Sequence, residues 1–457
     1  MIDIFLAKIR QSFTNFFTKG HKRTLEAKKN IATSFAIKGI SIAINLALVP
    51  LTIHYINPTQ YGIWLTLSSI VAWFSFFDIG FGHGLRNRFA EAKAIGNFEK
   101  ARIYISTTYA VLALIFTAVW LLFFVVNFFV DWSKILNAPP EMATELSTLA
   151  LIVFSFFCLQ IVLKTINTVI IADQKPAKAA FFDMLGQLIS LIIIYLLTKY
   201  TNGSLIYLGI YLGFAPIFVL IISSFWFYSN QYKYIAPALS FVKFAYTKDI
   251  LGLGIKFFFI QFSAIIIFQT SNIIIIQVLG PGSVTIYNIA NKYFFAVGMF
   301  FMIVLSPFWS AFTEAYTLRD FNWMKSTIKK LEKLWFVLVP SILIMLLFSN
   351  FIFDVWIGDT VKIPFIVSNM MALNVIFYTR YNIYMVLING IGKIKLQLFV
   401  VLLMCTCFFP IAIYFTKRIG LPGLILTNIF INIIFALFSQ IQITKLMTNR
   451  ASGIWNK

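Results

Sequence analysis

The sequence predicts an all-α polytopic membrane protein of about twelve transmembrane helices, set in two pseudo-symmetric six-helix bundles around a central cavity. Three observations carry this. Twelve stretches of about 20 residues are almost free of charge, and a helix rising about 1.5 Å per residue can cross a hydrocarbon core about 30 Å thick with that length. The connections on one side hold nearly all the Lys and Arg. Short motifs recur in the first and seventh stretches, as repeated halves require. A mean hydropathy of +0.87, with 60% hydrophobic residues over 457 positions, excludes an ordinary soluble domain.

The spans are expected near 30–53, 61–84, 104–127, 145–172, 179–198, 204–229, 250–279, 286–312, 334–351, 364–388, 396–416 and 422–445. Counted alternately from the first tail, one set of connections holds about 27 Lys and Arg and the other about 5, which by the positive-inside rule places both termini in the cytoplasm. The runs Arg86, Arg88, Lys93, Lys100, Arg102 and Arg319, Lys325, Lys329, Lys330, Lys333 dominate that count. The net charge of +21 is therefore mostly topology. Nucleic-acid binding is the competing reading of a basic chain, and dispersal of the charge over short membrane loops argues against it.

The expected division is a cytoplasmic segment 1–29, a bundle 30–229, a linker 230–249, a second bundle 250–446 and a tail 447–457. The first segment lacks the apolar core of a secretory signal. Ile2, Phe5, Leu6, Ile9, Phe13, Phe16 and Phe17 recur at helical spacing between basic residues, which suits an amphipathic helix on the inner leaflet; a disordered basic tail is the alternative.

In the two halves Ile37-Lys38 and Ile255-Lys256 each precede a long apolar run. Each run closes on a short turn, Ile56-Asn57-Pro58 or Leu279-Gly280-Pro281. Because six is even, both halves run in the same direction.

Little else offers chemistry. Connections 85–103, 230–249 and 313–333 are too short to fold alone. Gly80-Phe81-Gly82-His83-Gly84 lacks the strand and βαβ context of a dinucleotide loop. No Walker A sequence occurs, and His21, His54 and His83 are scattered. Cys158, Cys405 and Cys407 lie within apolar spans, so neither a disulfide nor a metal site is expected. No cofactor is expected.

Five cations fall inside the spans: Lys38, Lys164, Lys256, Lys292 and Arg380. Each costs about 2.5 kcal/mol or more at a helix centre in lipid, so each should face water or a partner. Ser34, Lys38, Ser41, Asn45 and Thr52 share one face of the first span, and Gln160, Lys164 and Asn167 one face of the fourth. Asn288, Asn291 and Lys292 form a third patch. Arg380 sits in the polar run Asn374 to Asn382. The functional reading is a cationic cavity that admits an anion; the alternative for Lys38, Lys164 and Lys256 is snorkelling to the nearby surface. Acidic residues inside the spans are chiefly Asp78 and Asp183. Asp78 reaches the depth of Lys38, so the two are candidates for an ion pair or a protonation gate.

Charge sign separates transporter classes. Export of cationic drugs needs buried carboxylates, whereas a phosphorylated lipid needs buried Lys or Arg. Tyr61-Gly62-Ile63-Trp64 after the Asn57-Pro58 turn, FFDIGFGHGLRNRFAEA at 76–92, ADQKPAKAAFFDMLGQLISL at 172–191 and the Pro307-containing eighth span resemble the polysaccharide transporter family. More specifically they resemble Wzx-type O-antigen flippases, within the superfamily of multidrug, oligosaccharidyl-lipid and polysaccharide exporters. The resemblance implies a multi-pass protein of the bacterial inner membrane. It implies that a polyprenyl-pyrophosphate-linked oligosaccharide is moved from the cytoplasmic to the periplasmic leaflet by alternating access, coupled to H+ or Na+. It also implies membrane lipids, a polysaccharide polymerase and a chain-length regulator as partners. On that reading Lys38, Lys164, Lys256, Lys292, Arg380, Asn45 and Asn288 contact substrate, and Asp78 and Asp183 serve gating or ion coupling. The competing readings are an ion-coupled multidrug antiporter and a membrane-embedded glycosyltransferase or polymerase. The first lacks its acidic cavity and the second its catalytic loop.

Overall fold

The computed structural model describes residues 22–75, 81–173, 175–251 and 270–456, and among these every regular element is helical. The first half comprises α1 (Lys22–Ile56), α2 (Pro58–Trp73), α3 (Phe81–Ala94), α4 (Phe98–Asn127), α5 (Trp132–Ile135), α6 (Ala143–Leu163), α7 (Thr165–Ala172), α8 (Pro176–Tyr200) and α9 (Leu205–Ser229). The second comprises α10 (Thr270–Leu279), α11 (Pro281–Thr317), α12 (Phe321–Leu347), α13 (Ser349–Ile357), α14 (Phe365–Ile391), α15 (Lys395–Ile419) and α16 (Leu421–Met447). Among the described residues nine segments are long and apolar enough to cross a membrane, and ten if α12 and α13 form one span bent by 60°. The 16-residue α2 and the shorter apolar α10 stand at the expected second and seventh spans.

Helices end at their caps rather than at the edges of apolar runs, so several outrun or interrupt the expected spans. Asp320 caps α12 through the amide of Trp323 at 3.0 Å, and the helix then runs unbroken past Glu332 into the membrane. Within the expected second span, 61–84, α2 reaches Trp73, residues 76–80 lie outside the described residues, and α3 is described from Phe81. The expected fourth span divides at Lys164, whose carbonyl accepts from the amides of both Asn167 (2.9 Å) and Thr168 (3.3 Å). Such a tightened turn inside an apolar run marks a special position.

In lipid, apolar contact alone gives helices little reason to associate, so close approach relies on small residues and polar links. Gly186 of α8 lies against Pro216 of α9, and Gly213 of α9 against Phe156 of α6. Leu114, Leu121 and Leu122 of α4 are exposed, as a lipid-facing surface should be.

Among the described residues the halves meet chiefly away from the ends that carry the Lys- and Arg-rich connections, although at those ends Gly84 also packs on the Ile250 carbonyl. We call these the far end and the basic end. Asn57 (φ 87°) and Gly280 (φ 85°) each break the chain with a left-handed residue, and a proline at the first position of α2 or α11 follows. The Asn57 side chain also accepts from the Gln60 amide at 3.0 Å. Pro58 corresponds to Pro281 at an offset of 223, and the same offset relates Gly62 to Thr285. The contacts obey that relation. Gly62 packs directly on the Pro281 carbonyl, and the Thr285 hydroxyl donates to the Pro58 carbonyl at 2.5 Å.

Neighbouring groups extend the seam. Gln277 Nε2 donates to the carbonyls of Lys134 (2.9 Å) and Ile135 (2.5 Å), Asn137 Nδ2 to that of Ile276 (3.1 Å), and Trp356 Nε1 to that of Leu46 (2.8 Å). Asp131 fixes the α5 turn that presents those carbonyls. Bonds from Ser133 and Lys134 hold its carboxyl down to about 2, so the cap persists at any physiological pH.

A side chain at position 62 would overlap backbone, which cannot yield. Gly62→Val should therefore part the far end, and spin labels placed across the seam should lose their short-distance population. Gly39→Ala, with nothing within 4 Å of the added carbon, should leave that population unchanged.

Candidate functional site

The candidate site lies in the first half, where α1, α6, α7 and α8 converge. Lys38 and Ser41 from α1, Gln160 and Lys164 at the end of α6, and Asp183 and Gln187 from α8 line a cavity of about 380 Å³. A second cavity of about 310 Å³ shares Gln160 and Lys164 and adds Ser75, Thr108, Thr165 and Thr168. A third, of about 190 Å³, runs on past Gln160 between Trp64, Phe156, Phe157, Gly209 and Gly213. Gln160 borders all three. The break after α6 places Lys164 at the junction of the first two.

Polar side chains frame this space. Asn167 Nδ2 donates to Asp183 Oδ1 at 3.0 Å, and Lys164 and Lys38 line the same cavity as that carboxylate. Asn45 Nδ2 donates to Gln187 Oε1 (3.2 Å) and to the Ser41 carbonyl (2.9 Å), tying α1 to α8. Among the described residues neither Lys38 nor Lys164 closes an ion pair, so two ammonium groups share one carboxylate. The hydroxyls of Thr108 and Thr165 in the second cavity, and of Ser68 in the third, have no hydrogen-bond partner among the described residues. Buried polar groups are normally satisfied. These three oxygens are themselves buried, and they stand as unsatisfied polar atoms in the cavity walls.

Lys38 lies 18 residues from Ile56 (56 − 38), Lys164 21 from Ala143 (164 − 143) and Asp183 17 from Tyr200 (200 − 183). At about 1.5 Å per residue they stand about 25–31 Å from the far end, close to the basic boundary of a core about 30 Å thick. That is the depth from which lysines snorkel. Their surroundings, however, are polar side chains from three helices.

The other sequence candidates divide. Lys292 on α11 reaches the Tyr61 hydroxyl of α2 at 3.1 Å, and Asn288 Nδ2 donates to Asn272 Oδ1 at 2.9 Å while Asn272 Nδ2 donates to the Ser69 hydroxyl at 2.8 Å. Both therefore belong to the seam between the halves rather than to the basic-end cavity. Arg380 is committed elsewhere again. Its Nη2 pairs with Glu332 Oε1 at 3.1 Å, the Tyr384 hydroxyl donates to the same oxygen, and the guanidinium lies 5.0 Å from the Trp335 ring and 5.2 Å from that of Tyr384. Its Nη1 has no partner among the described residues.

Asp78 and Lys256 lie outside the described residues, and with them the expected pairing of Asp78 with Lys38. Counting from the matched prolines, Lys38 precedes Pro58 by 20 residues (58 − 38) and Lys256 precedes Pro281 by 25 (281 − 256). The two lysines are five positions out of register. Counting by the offset of the turns instead matches Lys38 to Gln261.

Two carboxylates escaped the sequence reading. Glu332 falls two residues before an expected span, yet α12 carries it in; its position on the same helix as Trp335, one turn apart, was the available signal. Asp173 ends α7 with its side chain 1% exposed, between Lys93 and Lys175, and it accepts from the Tyr232 hydroxyl at 2.7 Å. It ties α3, the turn before α8 and the linker together.

No family profile matches the sequence. A putative O-antigen transporter of Salmonella typhimurium is 23% identical over 438 residues, covering 91% of this chain and 95% of that protein. A putative O-antigen transporter of Salmonella typhi is 23% identical over 286 residues, covering 62% of this chain and 64% of its own length. Among solved structures, an inward-facing multidrug resistance MATE family transporter of the MOP superfamily superposes with TM-score 0.68 at 14% identity, over 92% of this chain and 96% of that one. An outward-facing MATE family transporter of that superfamily gives 0.63 at 14% identity, over 95% and 98%. A MOP superfamily transporter from Pyrococcus furiosus gives 0.61, also at 14%, over 92% and 96%. The chain has the fold of these MOP-superfamily structures. The sequence's resemblance to Wzx-type flippases agrees with both kinds of match.

Arg380 and Glu332 form a pair that is mostly removed from solvent, and removing one partner of such a pair is costlier than removing both. Glu332→Ala, which leaves the part-buried Arg380 without its acceptor, should lower stability in detergent by about 1–3 kcal/mol. Glu332→Leu combined with Arg380→Met should recover part of that loss in thermal unfolding. An additive double variant would show the pair to be energetically uncoupled.

Proposed function

We propose that this chain is a flippase that carries a polyprenyl-pyrophosphate-linked oligosaccharide from the cytoplasmic to the periplasmic leaflet. The observation that carries this reading is the Lys38–Lys164 cavity, with two cations, one carboxylate and the polar side chains of Ser41, Gln160 and Gln187. Pyrophosphate would be held by the ammonium groups through charge-assisted hydrogen bonds. The sugars would take the positions offered by Gln160, Thr108 and Thr165. The names of the two Salmonella relatives point to the same substrate class.

With the Lys- and Arg-rich connections in the cytoplasm, a chain closed at its far end is open toward the leaflet where the substrate is made. Binding of an anion between Lys38 and Lys164 relieves their repulsion and gives the substrate a differential affinity for the state that encloses it. Asp183, bonded to Asn167 and within the field of both lysines, is the group through which H+ or Na+ would be coupled. Protonating it would strengthen the cavity's net positive charge. Lys256, Lys292, Arg380, Asn45, Asn288 and Asp78 remain secondary candidates, with Arg380 held by Glu332 and its Nη1 buried. A cavity of this charge disfavours the multidrug-antiporter alternative.

The test is complementation in a strain lacking its own O-antigen flippase. Lys38→Ala with Lys164→Ala should cut surface polysaccharide at least tenfold at unchanged protein abundance, and the corresponding Arg pair should retain a large part of it. Full activity of the double Ala variant, or drug export without polysaccharide transfer by the parent chain, would refute the reading.

A further inference from the structure

Residues 230–249 connect the halves, and they lie docked along α4. Arg102 Nε donates to the Ala236 carbonyl at 2.7 Å, the Ala238 amide donates to the Ser106 hydroxyl at 3.2 Å, and the Lys243 amide to the Thr107 hydroxyl at 3.1 Å. The Arg102 guanidinium lies 4.1 Å from the Phe241 ring, and Tyr104 meets Tyr246 edge to face at 5.6 Å. The connection is a strap fastened at five places.

The side of α4 that it covers is informative. Thr107 precedes Leu114 by seven residues and Leu121 by fourteen, so all three share one face of the helix. Leu114 and Leu121 are 59% and 53% exposed, on the outside of the bundle. The strap therefore continues the lipid-facing surface of α4 and does not line the path between the halves. Depth follows from length. With 30 residues, α4 extends about 45 Å, which matches a bilayer with its headgroups rather than the hydrocarbon alone. The strap is fastened within its first ten residues, at headgroup level.

At that level the strap presents two kinds of side chain outward. Leu239 is 92% and Phe244 56% exposed, while Lys233, Lys243 and Lys248 are all exposed and Asp249 is the one acidic residue in the segment. Large apolar groups beside lysines at a membrane boundary suit acyl chains below and phosphates above. We infer that residues 230–249 form a binding surface for anionic phospholipid, with Leu239 and Phe244 entering the acyl boundary and the three lysines meeting the headgroup. The match is one of charge as well as polarity: a zwitterionic lipid would satisfy the apolar side chains but not the surplus ammonium groups.

The test uses the full chain in nanodiscs. With Cys158, Cys405 and Cys407 replaced, Leu239→Cys carries a bimane label, and quenching is compared between brominated phosphatidylglycerol and brominated phosphatidylcholine at equal mole fraction. Quenching by the brominated phosphatidylglycerol should be at least twofold stronger, should weaken with added salt, and should fall to parity when Lys233, Lys243 and Lys248 are all changed to Gln. Equal quenching by the two lipids in the parent background would overturn the proposal. So would an absence of quenching by either, which would place the strap in water or against another protein, or a preference that survives loss of the three lysines.

Discussion

A cation inside a slab of hydrocarbon must find water, a counter-charge or a ring face, and the placement of four lysines and arginines within this bundle follows from that constraint. Each would otherwise cost about 2.5 kcal/mol or more. Arg380 meets it with Glu332 and two aromatic rings. Lys292 meets it with the Tyr61 hydroxyl at the seam. Lys38 and Lys164 meet it with a polar cavity and only part of one carboxylate. The first two arrangements hold the fold together. The third leaves charge over, and leftover charge is what an anionic guest can use.

The seam sets how such a guest could change the protein's state. The halves join at the far end through matched contacts, Gly62 on Pro281 and Thr285 on Pro58, with bonds from Gln277, Asn137 and Trp356 around them. Each such bond contributes about 0.5–1.5 kcal/mol net. The group is strong enough to favour closure and weak enough for a ligand with a few kcal/mol of differential affinity to overcome. Proline at the start of both α2 and α11 suits this place, because its fixed φ fits the first helical turn and its missing amide costs nothing there.

Much of this was readable from the sequence because the membrane imposes its own punctuation. The all-helical membrane architecture, the repeat and the paired turns follow from apolar length, charge spacing and the Asn57-Pro58 and Gly280-Pro281 breaks, while nine or ten of the twelve expected spans stand as full-length apolar helices among the described residues. The polar stripe on α1 was likewise readable from periodicity, and Ser41 and Asn45 do lie toward α8 beside Lys38. Helix ends were not, since a cap such as Asp320 or Asn97 acts through one local bond and carries no hydropathy signal. That is why hydropathy alone places Glu332 in the connection 313–333. Tertiary partnership was also hidden: nothing in the spacing of Arg380 or Lys292 distinguishes a cation facing a cavity from one held by a neighbouring helix. Lys38 and Lys256 looked equivalent by their local sequence, and the five-residue difference from the matched turns emerges only once those turns are fixed as the reference.

The central claim is that the space around Gln160 is water-filled and selects negative charge. Gln160→Cys in a Cys-free background keeps Lys38 and Lys164 in place and puts a thiol where the three cavities meet. Its reaction rates with an anionic and a cationic methanethiosulfonate of similar size measure the cavity's potential directly. The account predicts a rate several-fold faster for the anionic reagent, with the preference lost when Lys38 and Lys164 are both changed to Gln. A thiol inert to both reagents, or one modified faster by the cationic reagent, would contradict it.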